Sequence, residues 1–218
     1  MHSARQRKVS FRARAAAVVG VAVLLATAGY GQERKQDGRL LWRIGLPDRD
    51  YREFAIAGHY PEYSARFPKD VVYRIGESDS ARDWPFIHPG PQDAWAGSRT
   101  HVFRIEFDLA TVPAGACRIT IDLVNSHYAS PPLLEINVND RRTYRVKLPA
   151  GGTDEALTNP AAGRPLSIPI LFPAAHLVAG SNFITLTASR GSWLLYDAIT
   201  LEGGLAMPRG PPLALVEA

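Results

Sequence analysis

Val102-Phe103-Arg104-Ile105-Glu106-Phe107-Asp108-Leu109 decides the fold class of this 218-residue chain. Phe103, Ile105, Phe107 and Leu109 fall on one side of an extended backbone, and Arg104, Glu106 and Asp108 fall on the other. A period of two is that of a strand with one buried and one wet face, not the 3.6-residue period of a helix. Arg118-Ile119-Thr120-Ile121-Asp122-Leu123 and Leu134-Glu135-Ile136-Asn137-Val138 repeat it. Between the runs lie the turn signals Val112-Pro113-Ala114-Gly115, Ser130-Pro131-Pro132 and Asn139-Asp140. Further strands are read at residues 41–45, 71–75, 143–148, 166–170, 183–188 and 193–201, and a single helical turn at 173–178. The pattern predicts an all-β fold, an antiparallel β-sandwich in one domain.

Three stretches do not alternate. Residues 50–68 carry Tyr51, Phe54, Tyr60, Tyr63 and Phe67 without a clear period and read as a long ordered loop. Residues 151–165 are small, polar and turn-rich, a second long loop between strands. The third irregular segment is Asp83-Trp84-Pro85-Phe86-Ile87-His88-Pro89-Gly90-Pro91-Gln92-Asp93-Ala94-Trp95. Proline fixes φ and removes a ladder donor, so this run is expected to be a loop rather than a helix or central strand. Its large rings are either packed back onto the fold or presented to a ligand.

The chain ends carry other signals. Residues 1–14 hold five cations (Arg5, Arg7, Lys8, Arg12, Arg14) and no acid, and an apolar run follows to Ala26-Thr27-Ala28. This is the pattern of a secretory signal peptide over residues 1–28, with cleavage expected after Ala28. The apolar run is about 14 residues, short of the roughly 18–20 that span a bilayer. The expected organisation is signal peptide 1–28, linker 29–39, sandwich domain 40–204 and a flexible tail 205–218. The expected location is secreted or periplasmic, with no membrane partner once the signal is removed; an uncleaved anchor is the alternative.

Removing the five cations changes the charge argument. The whole chain has 25 basic and 21 acidic side chains; without the signal, 20 basic and 21 acidic remain, a net −1. The alkaline balance belongs to the export signal, so no nucleic-acid partner is expected. The one cysteine, Cys117, excludes an internal disulfide and sits in a strand-like run, where it reads as a small buried hydrophobe. About 190 residues suffice for one self-supporting core.

Several motifs, in order, resemble a known family. Leu41-Trp42-Arg43-Ile44-Gly45-Leu46-Pro47-Asp48 with Glu53-Phe54 resembles a W-x-I-G-x-x-D…E-F opening. Leu134-Glu135-Ile136-Asn137-Val138-Asn139 is similar to an L-x-V-x-V-N-G hairpin, with Asp140 where glycine is usual. Gly180-Ser181-Asn182-Phe183-Ile184-Thr185-Leu186 matches G-x-N-x-I-x-L, and Tyr196-Asp197-Ala198-Ile199-Thr200-Leu201-Glu202 matches a closing Y-D-x-I-x-L-E strand. These resemble the carbohydrate-binding-like third domain of family 4 polysaccharide lyases, the rhamnogalacturonan lyases, over about residues 40 to 203. The resemblance implies a galactose-binding-like jelly roll and a non-catalytic module for pectin- or rhamnogalacturonan-like polysaccharide, with a separately encoded lyase as its partner protein. The family's catalytic lysine and histidine belong to another domain, so no catalytic residue is carried over.

Sugar binding needs aromatic faces for C–H patches and polar groups for hydroxyls. The candidates are Trp84 and Trp95, then Tyr128 and Trp193, for stacking, with Asp83, His88, Gln92, Asp93 and Arg99 for polar contacts. Arginine also suits an acidic ligand, because its fork binds a carboxylate bidentately. Trp42 reads first as a core or loop-anchoring ring, and Trp84 as either such a ring or a ligand platform. Two alternatives stand beside the binding module. One is a hydrolase or lyase using Asp83, Asp93 and His88, though both aspartates also read as turn caps. Ser98-Arg99-Thr100-His101 offers a serine and a histidine without a nucleophile elbow. The other alternative is a structural envelope protein. No cofactor is expected; a structural calcium ion is compatible with Asp197 or Glu202, which on a strand also read as ordinary surface carboxylates.

Overall fold

The strands form wherever alternation was read, and the computed structural model describes residues 38–207. In chain order they are Arg39–Gly45 (β1), Val71–Arg74 (β2), Ile87–His88 (β3), Val102–Leu109 (β4), Ala116–Ser126 (β5), Leu133–Val138 (β6), Arg142–Lys147 (β7), Leu166–Pro173 (β8), Gly180–Arg190 (β9) and Leu194–Leu205 (β10). One sheet runs β1-β10-β5-β8, with β3 added beside β10; the other runs β2-β4-β9-β6-β7. Consecutive strands repeatedly change sheet, which makes the all-β architecture a two-sheet sandwich. Pairing is antiparallel except between β2 and β4, which run parallel. The export signal read at residues 1–28 lies outside the described residues, as does most of the tail. Where the tail was expected to begin, Leu205 still closes β10 and is buried.

Inward residues of both sheets meet in one core. β4 contributes Phe103, Ile105 and Phe107, β5 Cys117, Ile119 and Ile121, and β6 Leu134, Ile136 and Val138. Burial pushes the Cys117 thiol up to about 11, which leaves it an unreactive core group. The β6–β7 turn places Asn139 and Asp140 both at positive φ (49° and 54°) and closes through the Arg141 N–H to the Val138 carbonyl, 2.9 Å. Asp140 stands at a left-handed position without glycine, a conformation that Asn and Asp tolerate best.

The segment of residues 83–95 differs from its reading as pure loop. It begins at the end of a helical turn, Ser80–Asp83 (α2), and Ile87 and His88 pair with Leu195 and Leu194. Three prolines fail to prevent this because the paired section is two residues long and avoids every proline. The long loop of residues 50–68 is ordered as read, with a short helix, Tyr63–Arg66 (α1), and with Tyr51, Phe54 and Tyr63 buried. The helical turn read at 173–178 is a 3-10 turn, Ala174–His176.

The opening and closing motifs prove to be one structural device. Trp42 and Ile44 point into the core, and Gly45 follows at φ 76°, where a Cβ would stand 2.4 Å from the Phe54 ring and 2.5 Å from the Asp197 carbonyl oxygen. The chain then turns, and Asp197 Oδ1 accepts from the N–H groups of Asp48 (3.1 Å) and Arg49 (2.9 Å). Glu53 Oε1 accepts from the Leu46 N–H at 2.7 Å. Asp197 is thus a buried turn clamp and not a surface carboxylate, while Glu202 is taken by Arg118 at 2.6 Å. Among the described residues no three His, Cys, Asp or Glu side chains converge.

Burial, the largest cause, raises the Asp197 carboxyl from 3.8 to about 6 against the pull of the two N–H groups. A folded carboxyl that titrates above its unfolded value contributes stability below about pH 4, and that contribution is lost as pH rises to about 6. Asp197→Asn keeps an oxygen for both N–H groups and removes the titration. Its urea midpoint is expected to fall less steeply than the parent's between pH 4 and 6 and to equal or exceed it at pH 7. Asp197→Ala orphans the two donors and is expected to cost about 1–3 kcal/mol. An Asn variant that loses stability over this range as steeply as the parent would place the titration on another group.

Candidate functional site

The residues of the 83–95 segment divide between an inner and an outer face. Trp84 is fully buried, with its ring edge-on to Tyr73 (5.8 Å) and Phe103 (5.2 Å) and tilted against Tyr196 (5.3 Å). His88 is also fully buried, stacked on Phe103 with centroids 3.8 Å apart. Neither reaches a ligand, so both correct the sequence reading: their work is to anchor the segment. Trp193 is 3% exposed and stands edge-on to His127 (5.4 Å), supporting the surface from beneath rather than forming it.

His88 sets the hydrogen bonding of this region. A carbonyl can only accept, so the 2.9 Å contact with the His101 carbonyl puts the ring proton on Nε2, and Nδ1 accepts from the Tyr196 hydroxyl at 2.8 Å. His101 repeats the arrangement: Nε2 donates to the Ala96 carbonyl (3.1 Å) and Nδ1 accepts from the Tyr63 hydroxyl (3.2 Å). Two buried neutral imidazoles, each between a tyrosine and a carbonyl, therefore tie the 83–101 stretch to β10 and to α1. Burial is the main cause that depresses His88 from 6.5 to about 3, and it lowers His101 as well.

Asp93 is held in the same way. Only 5% exposed, its Oδ1 accepts from the Ser192 hydroxyl (2.5 Å) and its Oδ2 from the Gly90 N–H (2.8 Å). Gly90 fits here because a Cβ would lie 2.4 Å from the Gly191 carbonyl oxygen. Burial pushes the Asp93 carboxyl up, while Ser192, the Gly90 N–H, His127 and Trp95 pull it down. Asp93 is consequently a loop pin rather than a ligand contact. Asp83 accepts from both arms of Arg82 (2.8 and 2.7 Å) and from the Asp79 N–H (2.9 Å). With His88 sealed in the core, Asp83, Asp93 and His88 present no acid–base pair to solvent. Ser98 and His101 form no dyad either, since both nitrogens of His101 are already bonded.

The outer face is an aromatic crest about Asp93. On one side, half-buried Trp95 meets Tyr60 at 5.2 Å and 75° and Tyr63 at 6.0 Å and 90°, and its carbonyl accepts from the Ser64 hydroxyl at 2.7 Å. On the other side, Tyr128 is 53% exposed and lies on His127 with centroids 5.0 Å apart and planes 15° from parallel. His127 Nδ1 accepts from the N–H groups of Ala129 (3.2 Å) and Ser130 (2.9 Å), and the Ser130 hydroxyl bonds exposed Gln92 (2.5 Å). Of the sequence candidates, Gln92, Trp95 and Tyr128 thus reach this crest. Arg99 lies beyond it, bonded to Asp70 (3.1 Å) and to the Pro68 carbonyl (3.4 Å). Tyr60, Ser64 and His127 escaped the sequence reading; the unperiodic aromatic run of 50–68 was the signal for the first two.

A histidine whose folded pKa is depressed adds stability above about pH 6.5 that is lost as pH falls toward 3. His88→Phe keeps a ring on Phe103 but leaves the Tyr196 hydroxyl and the His101 carbonyl unpaired. It is expected to lower unfolding stability at pH 7 by at least about 2 kcal/mol and to flatten the acid limb of the stability profile. Urea titrations at pH 7, 5 and 4 check both; an unchanged acid limb would remove His88 as its source.

The chain is similar to several known proteins. The model of a protein family described as "CBM-like: Polysaccharide lyase family 4, domain III" matches residues 40–201. The rhamnogalacturonate lyase of Dickeya dadantii is 29% identical over 175 residues, covering 78% of this chain and 28% of that protein. Rhamnogalacturonate lyase B of Emericella nidulans is 34% identical over 119 residues, covering 43% of this chain and 18% of its own length. The chain therefore covers less than a third of either relative. Among solved structures, a family 35 carbohydrate binding module from an environmental isolate aligns at 20% identity and a TM-score of 0.34, over 52% of this chain and 72% of that one. With the family match running from β1 into β10, the chain belongs to the carbohydrate-binding-like domain III family of the family 4 polysaccharide lyases.

Proposed function

We propose that this domain is an exported carbohydrate-binding module that recognises a pectin- or rhamnogalacturonan-like polysaccharide and acts as an accessory to a catalytic domain. The observation that carries the reading is the crest of half-buried Trp95 and Tyr60 and exposed Tyr128, drawn from three loops around the pinned 83–95 segment. Exposed aromatic faces stack on the C–H patches of pyranoses, and Gln92 and Ser130 stand beside them for hydroxyls. A loop held rigid by His88, Asp93 and Trp84 loses little further freedom on binding, which suits a module that grips an extended chain. The relatives named as rhamnogalacturonate lyases support the choice of polymer.

Binding is measured with insoluble pectin fractions and with soluble rhamnogalacturonan by calorimetry. Trp95→Ala is expected to weaken binding by roughly thirtyfold, about 2 kcal/mol, and Tyr128→Ala by less, with both variants folded at the assay temperature; exposed Tyr128→Ala keeps the parent's melting temperature, while Trp95→Ala lowers it through lost packing on Tyr60 and Tyr63. Failure of a panel of plant polysaccharides to bind at millimolar sugar, or full affinity in a Trp95→Ala/Tyr128→Ala double variant, would overturn the reading.

A further inference from the structure

Beside the crest runs a shallow cleft of about 300 Å³ that neither the stacking rings nor the family motifs use. One wall is the end of α1 and the chain leading from it to β2; the other includes Val72 and the end of α2. β2 is the last strand of its sheet, so its outer edge has no strand partner there, and such an edge leaves backbone donors and acceptors open to hydroxyls. Half-buried Phe67, tilted on Tyr63 at 5.7 Å, supplies apolar lining.

The charges of the cleft are unequal. Its two acids are already spent: Asp83 on Arg82 and Asp70 on Arg99. Arg66 and Lys69 remain, both exposed, with no carboxylate within ion-pair distance among the described residues. The cleft therefore presents two unspent cations. One hydrogen bond also joins it to the crest: Ser64, two residues before Arg66, donates to the Trp95 carbonyl at 2.7 Å, while Arg99 reaches the Asp70 carboxylate and the Pro68 carbonyl of the cleft itself.

The geometry points to a carboxylate subsite: Arg66 and Lys69 take the uronate carboxylates of an acidic polysaccharide whose neighbouring sugar stacks on Trp95. This rests on the binding function proposed above and names the group that the module reads on its ligand. A guanidinium and an ammonium on one lip match a carboxylate by charge and by hydrogen bonds, and because both are exposed the contribution is screened by salt.

The test compares rhamnogalacturonan with the same polymer after chemical reduction of its carboxylates to alcohols, by calorimetry at low and at physiological salt. The full chain is expected to bind the native polymer about tenfold more tightly at low salt, with the preference shrinking as salt rises. Arg66→Gln/Lys69→Gln is expected to lose the preference and the salt dependence, to bind the reduced polymer as the parent does, and to melt at the parent's temperature. Trp95→Ala weakens both polymers alike. Equal parent affinity for the two polymers, or a double variant that keeps the preference, overturns the carboxylate subsite and leaves the binding function standing. If the parent binds neither polymer, both fall.

Discussion

Burial of a neutral histidine is the constraint on which the rest of this structure depends. His88 lies between the sheets, stacked on Phe103, with one nitrogen accepting from Tyr196 and the other donating to the His101 carbonyl. An imidazolium there would lose its hydration without gaining a counter-charge, so the ring stays neutral far below its usual pKa. Each bond has one possible direction, which fixes the ring and, through it, the chain on either side. Trp84 and Phe86 then fill the adjacent core while Gln92 and Trp95 are carried outward.

The Tyr196-Asp197 pair shows how economically a strand can organise two loops. Tyr196 holds His88 in the core, and Asp197, where the β10–β5 register shifts, holds the turn after β1 through two N–H groups. Both long aromatic loops are therefore tied to consecutive positions of the central strand β10. The motifs that carry the family resemblance are largely this framework: Gly45, Asn139, Asn182 and Asp197 bond or accommodate backbone. They specify the fold and the position of the crest, while the groups that would touch a ligand lie between them.

The sandwich was legible because alternation is a local property. The β4 strand has the bounds read for it, Val102–Leu109, and β5, β6 and β9 extend their readings by a few residues. The crest was legible only in part. Residue type does not separate Trp95 and Tyr128 from Trp84 and Trp193, since an aromatic ring reads the same whether it ends half-exposed or buried; only Gly97 and polar neighbours favoured exposure of Trp95. Asp93 looked like a ligand contact because its pinning partner, Ser192, lies 99 residues away. Tyr60 and His127 join the site through contacts that no spacing encodes.

The sequence by itself determined that the domain is all-β, which strands have a wet face, that Cys117 is inert, and which family motifs frame the loops. These follow from side-chain periodicity and composition, whose physics acts between near neighbours. Which rings face inward, which carboxylates are consumed, and which cations are left unspent beside the crest were decided only by the tertiary structure. Those outcomes depend on burial and on pairings between residues far apart in the chain, such as His88 with Tyr196, Asp93 with Ser192 and Arg99 with Asp70. Desolvation and hydrogen-bond geometry settle them only once the two sheets have closed on each other.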